Sequence, residues 1–345
     1  MTKKISAILL ALMMVIIGLT SCSTQTQQEE PSTDIETDIT VADNTDISTE
    51  VINVSLLKGP TGMGGAYMWS MSDDGKTQNN YNFTLDTDAT TVGPKLISGE
   101  YDIAAVPTNL AAALYKKSEG KVKVIAVNTL GVLYIVTKDN AVSSVADLEG
   151  KTILASGQGT IAEYALNYVL DSNGLVIGEN VTIEFATEHA ESVTKAIAGG
   201  YDAVLLPEPF VTQLLAKDSS FSVAVNITEE WEKTGNSTLA MGCIAVNAAF
   251  YENNKDAVKK FVEDYAESAD YVNNNIDAAS LLIEEHGIMP SAIAGKAIPN
   301  ANIVCIAGEE MKSALTDTYN VLLSMNPAII GGQMPADDFF IDVTV

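Results

Sequence analysis

Arginine is absent from the 345-residue sequence, so all 19 basic residues are lysines. Acidic residues number 45, which gives a formal net charge of −26. A surface this acidic repels the phosphates of nucleic acids and the anionic face of a membrane. Nucleic-acid binding is therefore excluded, and any membrane attachment needs another cause. An anionic ligand could not be held by a guanidinium fork and would depend on backbone N–H groups, hydroxyls and lysine.

Histidine and cysteine are almost as scarce, with two and three residues. The histidines, His189 and His286, are too few for a histidine-rich metal site or a His-centred catalytic network. The GxSxG, HExxH, GxGxxG and GxxxxGK[ST] motifs are also missing. We therefore predict no catalytic residue, no metal and no cofactor. Cys243 and Cys305 lie in separate apolar runs, which favours two buried thiols, although an oxidising compartment would permit a disulfide.

Long hydrophobic runs are missing too, because the longest N-terminal run, Ile8–Ile17, has ten residues. It follows Lys3 and Lys4 and suits a signal peptide, but it is too short to span a bilayer. The next residues, Leu19-Thr20-Ser21-Cys22, resemble the bacterial lipobox. The resemblance implies that residues 1–21 are a signal peptide and that Cys22 carries a lipid. The alternative is ordinary secretory cleavage beside a chance cysteine.

Residues 22–50 form a segment without a basic residue. From position 23 onward they include eight acids, Pro31 and many Ser, Thr and Gln. Such a segment buries too little apolar surface to fold and repels itself, so we predict a disordered tether. The folded part is expected to begin at Val51.

Short apolar runs alternate with helical patterns through residues 51–240, which predicts an α/β protein with mostly parallel sheets. The predicted strands are Val51–Leu57, Tyr101–Val106, Val122–Val127, Val132–Val136, Thr152–Ala155, Val181–Phe185, Tyr201–Leu206 and Ser222–Val225. Helices are predicted over Leu110–Lys117, Ile161–Leu170, Asn254–Tyr271 and Glu309–Met325, and residues 300–304 should be extended. Within the third helix, Val258, Phe261, Val262 and Tyr265 form the apolar side.

An internal repeat relates residues 90–117 to residues 190–217. At a fixed offset of 100, eight of 28 positions are identical, including Gly99/Gly199, Asp102/Asp202 and Pro107/Pro207. Each copy predicts a helix, a tight turn at Gly, a short strand and a Pro that opens the next helix. This indicates two similar lobes, the first beginning at residue 51 and the second at residue 130. The C-terminal helices would return to cover the first lobe.

The sequence resembles the substrate-binding proteins of bacterial ABC transporters, in the branch that serves nitrate, sulfonates, taurine and thiamine-pyrimidine precursors. The resemblance is carried by residues 99–104 (GEYDIA), 132–139, 147–152 (DLEGKT), 157–160 (GQGT) and 206–210 (LPEPF). It implies a two-lobed type II periplasmic-binding-protein fold, each lobe a mostly parallel sheet flanked by helices. Two hinge crossings, near 128–131 and 239–243, would join lobe 1 (51–129 plus 241–345) to lobe 2 (130–240).

Two glycine-rich loops are candidate ligand-binding segments because each follows a strand and opens a helix. Glycine lets the backbone approach a ligand, and N–H groups at a helix start favour an anion or a polar oxygen. The candidates are Lys58, Thr61, Gly62, Met63 and Gly64 in the first loop, and Gly157, Gln158, Gly159 and Thr160 in the second. Each loop could also be a plain strand-to-helix turn.

The repeated turns after Pro107 and Pro207 supply further candidates. Thr108 and Asn109 can cap a helix or bind a ligand, and Glu208 can accept a hydrogen bond from a ligand amino group or simply favour a helix start. Trp69 could stack on a ligand ring, as could Tyr67, although such aromatics also pack in cores. His189 either lines the cleft or lies exposed at a helix start.

The sequence therefore predicts an extracytoplasmic, lipid-anchored, monomeric solute-binding protein of an ABC importer, with permease subunits as partners. Its ligand would be a sulfonate- or nitrate-like anion, or a heterocycle resembling a thiamine precursor, held between the lobes. The alternatives are a ligand-sensing lipoprotein of the same fold and an enzyme resembling the thiamine-pyrimidine synthase. The enzyme is disfavoured because the cysteine-rich motif of that synthase is missing.

Overall fold

The structure, a computed structural model, describes residues 50–138, 142–235 and 238–343. The predicted signal peptide, the lipobox with Cys22 and the tether up to residue 49 lie outside the described residues. The strands are β1 Val51–Leu57, β2 Asn80–Asp86, β3 Ile103–Pro107, β4 Val122–Leu130, β5 Leu133–Lys138, β6 Thr152–Ser156, β7 Thr182–Ala186, β8 Ala203–Pro207, β9 Phe221–Asn226, β10 Ala240–Asn247 and β11 Ile303–Ile306.

The α-helices fall between the strands and dominate the C-terminal third. They are α1 Pro60–Met63, α2 Ala66–Asp73, α3 Ala89–Ser98, α4 Thr108–Lys117, α5 Ile161–Ser172, α6 His189–Ala198, α7 Phe210–Lys217, α8 Ile227–Lys233, α9 Ala248–Asn253, α10 Lys255–Asn274, α11 Ile276–Glu285, α12 Ser291–Ala297 and α13 Gly308–Met325. Short 3-10 helices cover Val145–Leu148, Ile298–Asn300, Pro327–Ile330 and Asp337–Phe339.

Two sheets organise these elements, which confirms the predicted α/β class. The first sheet has the order β11-β4-β10-β3-β1-β2, and the second has the order β7-β6-β8-β5-β9. In the first, β1 is parallel to β2 and β3, whereas β10 is antiparallel to β3 and β4. In the second, β6 is parallel to β7 and β8, whereas β5 is antiparallel to β8 and β9. The sheets are therefore mixed, because β10 and β11 in the first sheet and β5 in the second run against the other strands of their sheet.

All eight predicted strands are present, with ends shifted by at most three residues. The internal repeat is also confirmed, since α3-β3-α4 and α6-β8-α7 follow the same order, with Gly99 and Gly199 at positive φ. Two strands were not predicted. The β2 sequence NYNFTLD is largely polar and partly exposed, and β10 lies where a hinge crossing was expected.

The chain passes from the first sheet to the second between β4 and β5, and it returns between α8 and β10. The two strands at these passages, β4 and β10, pair with each other. At the first passage, a Cβ on Gly131 would collide with the hydroxyl of Thr228, so only glycine fits there. These passages coincide with the predicted crossings, and the assignment of residues 130–240 to a separate lobe stays a prediction.

The C-terminal helices complete the core against the first sheet. On α10, the predicted apolar side of Val258, Phe261, Val262 and Tyr265 is fully buried. The Ser268 hydroxyl on the same helix accepts from the Met68 amide at 2.9 Å. Cys243 on β10 and Cys305 on β11 are free thiols, as favoured by the sequence. In the described part of the chain, no helix combines the length and apolarity needed to cross a bilayer.

Candidate functional site

A cleft lies where the carboxyl ends of strands from both sheets meet. Its volume is about 470 Å³. Residues that follow β1, β2 and β3 line it from one sheet, and residues that follow β6, β7 and β8 line it from the other. Helices begin at the same edge, so their free N–H groups collect around the cleft. The polar lining residues are Lys58, Thr61, Thr87, Thr90, Asn109, Thr129, Thr160, His189 and Glu208.

Lys58 supplies a positive charge on the side of the cleft that the first sheet forms. It follows β1, its backbone N–H donates to the Asp86 carbonyl at 3.0 Å, and its side chain is exposed. No ion pair joins it to any residue that the structure describes. Thr61, on α1, lies beside it in the lining. Both predicted residues therefore reach the cleft, with the lysine charge available to a ligand.

The other candidates of the first loop face the protein interior. Met63 is completely buried in the core under the first sheet. A Cβ on Gly62 would collide with the Leu57 carbonyl oxygen, and one on Gly64 would collide with the Tyr265 hydroxyl. These glycines are therefore needed for the tight turn and for packing against α10, and the structure places none of the three in the cleft lining.

Thr108 and Asn109 are adjacent but have different surroundings. The Thr108 hydroxyl is buried and donates to the Ala240 carbonyl at 2.8 Å, so it ties α4 to the returning strand β10 and does not line the cleft. Asn109 does line the cleft. Its Oδ1 is buried and has no hydrogen-bond partner among the described residues. An unpaired amide oxygen is costly unless a ligand or water donates to it.

Glu208 brings a carboxylate to the second wall, between β8 and α7. It is 3% exposed, and its oxygens accept from the Thr212 amide at 3.2 Å and the Thr212 hydroxyl at 3.1 Å. Burial raises the pKa of the Glu208 carboxyl, and the bonds from Thr212 oppose that rise. None of the described lysines forms an ion pair with it. Its acceptor capacity is therefore not exhausted by the protein.

The second glycine-rich loop reaches the cleft through its last residue. Thr160 caps α5, because its hydroxyl accepts from the Ala162 amide at 3.3 Å, and it lines the cleft. Gly157, Gln158 and Gly159 precede it and are not part of the lining. The Gly159 N–H donates to the Glu163 carboxylate at 2.5 Å, so this N–H is already used. The positive φ of Gly157 and Gly159 shapes the turn.

His189 lies in the cleft wall at the start of α6. Its Nδ1 is 2.5 Å from the Ser156 hydroxyl at the end of β6, and its ring centroid is 5.1 Å from that of Phe210. Burial lowers the pKa of the His189 imidazole. The sequence left cleft and surface positions open for this histidine, and the structure favours the cleft.

Trp69 and Tyr67 are placed away from the cleft. The Trp69 ring stacks on His286 at 4.5 Å and on Phe83 at 5.2 Å. The Tyr67 ring stacks on Tyr271 at 3.7 Å. Both rings therefore pack α2 against neighbouring elements, which corrects the expectation that Trp69 stacks on the ligand. The periodicity of a short helix did not reveal which side faces the cleft.

Several lining residues were missed by sequence reasoning. Thr87, Ala89 and Thr90 surround the start of α3, where Asp88 accepts from the Thr90 amide at 2.8 Å. The pattern Asp-x-Thr before a helix was a usable signal. Thr129, Met241 and Gly242 come from the paired strands β4 and β10, and nothing in their sequence marks them as lining. Phe210, by contrast, belongs to a motif that already carried the family resemblance.

The arrangement suits reversible binding of a small polar molecule. The lining offers one lysine, one buried carboxylate, a neutral imidazole, several hydroxyls and one amide. Within residues 50–138, 142–235 and 238–343, no group of three or more His, Cys, Asp or Glu side chains could hold a metal ion. One molecule in the cleft could therefore form hydrogen bonds to residues of both sheets.

The comparison with family sequence models gives one match. The model of the phosphonate ABC-transporter periplasmic substrate-binding proteins matches residues 76–270, more than half of the chain. The curated proteins, searched by sequence, contain no match.

Solved structures share the fold at low sequence identity. An ABC transporter protein from Parabacteroides distasonis superposes with a TM-score of 0.72 at 23% identity, covering 85% of this chain and 99% of that one. The periplasmic aliphatic sulphonate binding protein SsuA of Escherichia coli gives 0.70 at 13% identity, covering 86% and 94%. The periplasmic nitrate-binding protein NrtA of Synechocystis PCC 6803 gives 0.53 at 13% identity, covering 76% and 74%.

Proposed function

The chain belongs to the phosphonate family of ABC-transporter periplasmic substrate-binding proteins, and from this premise we propose that it captures a small polar solute in the cleft between its two sheets. The observation that carries the proposal is the cleft itself. Its wall combines strand ends and helix starts from both sheets, so one ligand can touch both sides. A permease would then bind the form of the protein that has closed around the ligand.

The lining supports a ligand of limited size that carries hydrogen-bond acceptors. Lys58 and the helix N–H groups would receive a sulfonate- or nitrate-like anion. The second candidate is a heterocycle resembling a thiamine precursor. It is favoured by the amide of Asn109, whose Oδ1 lacks a partner, and by the Phe210 ring in the same wall. An amide can pair with adjacent donor and acceptor atoms of such a ring.

The finer predictions from the sequence complete the proposal. The protein would be a monomer that is attached to the membrane only through lipid on Cys22, and it would release its ligand chemically unchanged to permease subunits. A sensor of the same fold would bind the same ligand without supporting its uptake. Loss of uptake on deletion of the gene therefore supports the importer and contradicts the sensor.

The first experiment is a binding screen on the purified full-length protein in detergent, unfolded and refolded to remove carried-over ligand. The panel contains methylphosphonate, ethanesulfonate, nitrate, thiamine and its aminopyrimidine precursor. A ligand at 100 times its dissociation constant stabilises the folded state by about 2.7 kcal/mol, which a thermal-unfolding assay detects. Isothermal titration calorimetry then gives the affinity.

Matched variants locate the binding site. We expect Lys58→Met to weaken an anion at least tenfold and Asn109→Ala to weaken a heterocycle by a similar factor. Lys259→Met on α10 and Asn253→Ala on α9 change the same residue types outside the lining and should leave affinity unchanged. Binding that both cleft variants leave intact would place the ligand elsewhere and overturn the proposal.

A further inference from the structure

Ser156 and His189 form a buried pair at the wall of the cleft. Ser156 ends β6 and is 2% exposed, and its Oγ lies 2.5 Å from His189 Nδ1. His189 is the first residue of α6 and lines the cleft. The pair therefore joins a strand end, which cannot touch the ligand, to a ring that can.

The proton of this pair can be placed by counting donors and acceptors. A hydroxyl can donate to an unprotonated Nδ1, or Nδ1–H can donate to the hydroxyl oxygen. In the second case the Ser156 O–H would need another acceptor, and no other partner is found among the described residues. Leaving a buried O–H unpaired is costly. The Ser156 hydroxyl therefore donates to Nδ1, and the ring proton resides on Nε2.

The second ring nitrogen is free for a ligand. His189 Nε2 has no hydrogen bond to the described residues, and this atom is not buried. Phe210 holds the ring from one side, at 5.1 Å between centroids. Burial lowers the pKa of the imidazole, so the ring is neutral near pH 7 and keeps a single N–H.

We propose that Ser156 is a positioning residue that fixes His189 as the Nε2–H tautomer, and that this N–H donates to an acceptor atom of the ligand in the cleft. The inference rests on the proposed function, because it assigns a neutral hydrogen-bond donor to the side of the same cleft that the second sheet forms. Its partner on the ligand must be an oxygen or an unprotonated ring nitrogen. A group that is only a donor, such as an ammonium, does not fit this position.

The tautomer is measured on the ligand-free full-length protein by nitrogen-15 NMR of the imidazole rings. The chain has only two histidines, so His286→Asn assigns both sets of signals. We expect His189 to show a protonated Nε2 and an unprotonated Nδ1. In Ser156→Ala the preference should be lost, and in Ser156→Thr, which keeps a hydroxyl, it should return. Ser192→Ala removes another buried hydroxyl, on the same helix as His189, and should change neither signal.

Affinity is measured in parallel with methylphosphonate and ethanesulfonate as probes. We expect Ser156→Ala to weaken the bound probe about tenfold, with Ser156→Thr and Ser192→Ala close to wild type. A protonated Nδ1 in the wild type, or a probe that binds Ser156→Ala as tightly as wild type, overturns the inference while the proposed function stands. Failure of both probes to bind the wild type contradicts a phosphonate- or sulfonate-like ligand in the proposed function and the donor role of His189 towards it. The spectrum still decides the tautomer separately.

Discussion

The two repeated segments, residues 90–117 and 190–217, share a scaffold. Asp102 accepts from the Asn53 amide at 2.8 Å, and Asp202 accepts from the Thr152 amide at 2.8 Å. The amide of each aspartate donates back to the carbonyl of the same partner, at 2.9 and 3.1 Å. Each aspartate thus fixes the register of β3 against β1, or of β8 against β6.

The segments differ immediately after the shared proline. The Thr108 hydroxyl turns into the protein and donates to the Ala240 carbonyl. The Glu208 carboxylate stays beside the cleft, and its hydrogen bonds come only from Thr212 on the following helix, α7. The comparison teaches that the residues that set strand register were kept in both copies. The position after the proline is a buried structural tie in one copy and part of the cleft lining in the other.

The largest expected effect comes from removing the shared aspartates. Asp102→Ala should lower the free energy of unfolding by about 2–3 kcal/mol, because it leaves a partly buried Asn53 amide without its acceptor. Asp202→Ala should cost about 1 kcal/mol, since the Asp202 side chain is 45% exposed and water can replace it. Urea unfolding measures both, with the two Asp→Asn variants as controls that keep an acceptor oxygen. An equal loss at the two positions would contradict the ranking.

The loss of stability expected at Thr108 is smaller than that of Asp102→Ala. Thr108→Val keeps the shape but removes the bond to the Ala240 carbonyl, which should cost about 1–2 kcal/mol. Thr108→Ser retains the hydroxyl and should stay closer to wild type. Ligand affinity should be unchanged in both variants, because Thr108 does not line the cleft. Loss of affinity without loss of stability in Thr108→Val would remove the difference between the two copies.

The smallest expected change in the free energy of unfolding is a gain, and it is expected for Glu208→Gln. Because burial raises the Glu208 pKa, the folded protein binds a proton more readily than the unfolded chain. The associated stability is complete below the ordinary glutamate pKa and is lost as pH rises through the raised value. Glu208→Gln avoids that loss, so the variant should be more stable than wild type by about 1 kcal/mol at pH 8 and similar at pH 4.

Urea unfolding of the ligand-free protein from pH 4 to pH 8 checks this prediction. The difference between Glu208→Gln and wild type should grow with pH and then level off. Other carboxyls whose pKa is raised by burial, such as Asp102 and Asp264, are present in both proteins and cancel in the difference. A constant difference across the pH range would show that Glu208 does not titrate differently in the folded state.

The fold could be predicted from the sequence because its signals are local. Apolar runs marked eight strands, and the repeat correctly matched the turn glycines Gly99 and Gly199. The repeated prolines, which were expected to open helices, are instead the last residues of β3 and β8. β2 escaped because its side chains are polar and partly exposed, so its strand character depends on pairing with β1. β10 escaped because an apolar strand at a crossing cannot be told from a connecting segment by composition.

The site was less predictable because it depends on which way each side chain faces. Lys58, Thr61, Asn109, Thr160 and Glu208 lie in the lining, and their contact with a ligand stays a prediction. Gly62 and Gly64 show why other candidate residues lie outside the lining. Glycine allows close approach of any neighbour, and here the neighbours are Leu57 and Tyr265. For Gly64, only the tertiary packing of α10, about 200 residues later, distinguishes that use from ligand binding.

From the placement of α10 and α13 we also expect an order in which the two sheets fold. The Met68 amide donates its hydrogen bond to Ser268, 200 residues further along. The Thr108 carbonyl accepts from Tyr319, 211 residues further along. The second sheet, by contrast, draws every strand from Leu133–Asn226. A chain synthesised from its N-terminus thus makes β1 to β4 of the first sheet early, but β10, β11 and the helices that complete the core of this sheet come only after the second sheet. Closing such long loops is slow, so the later segment is expected to be structured first.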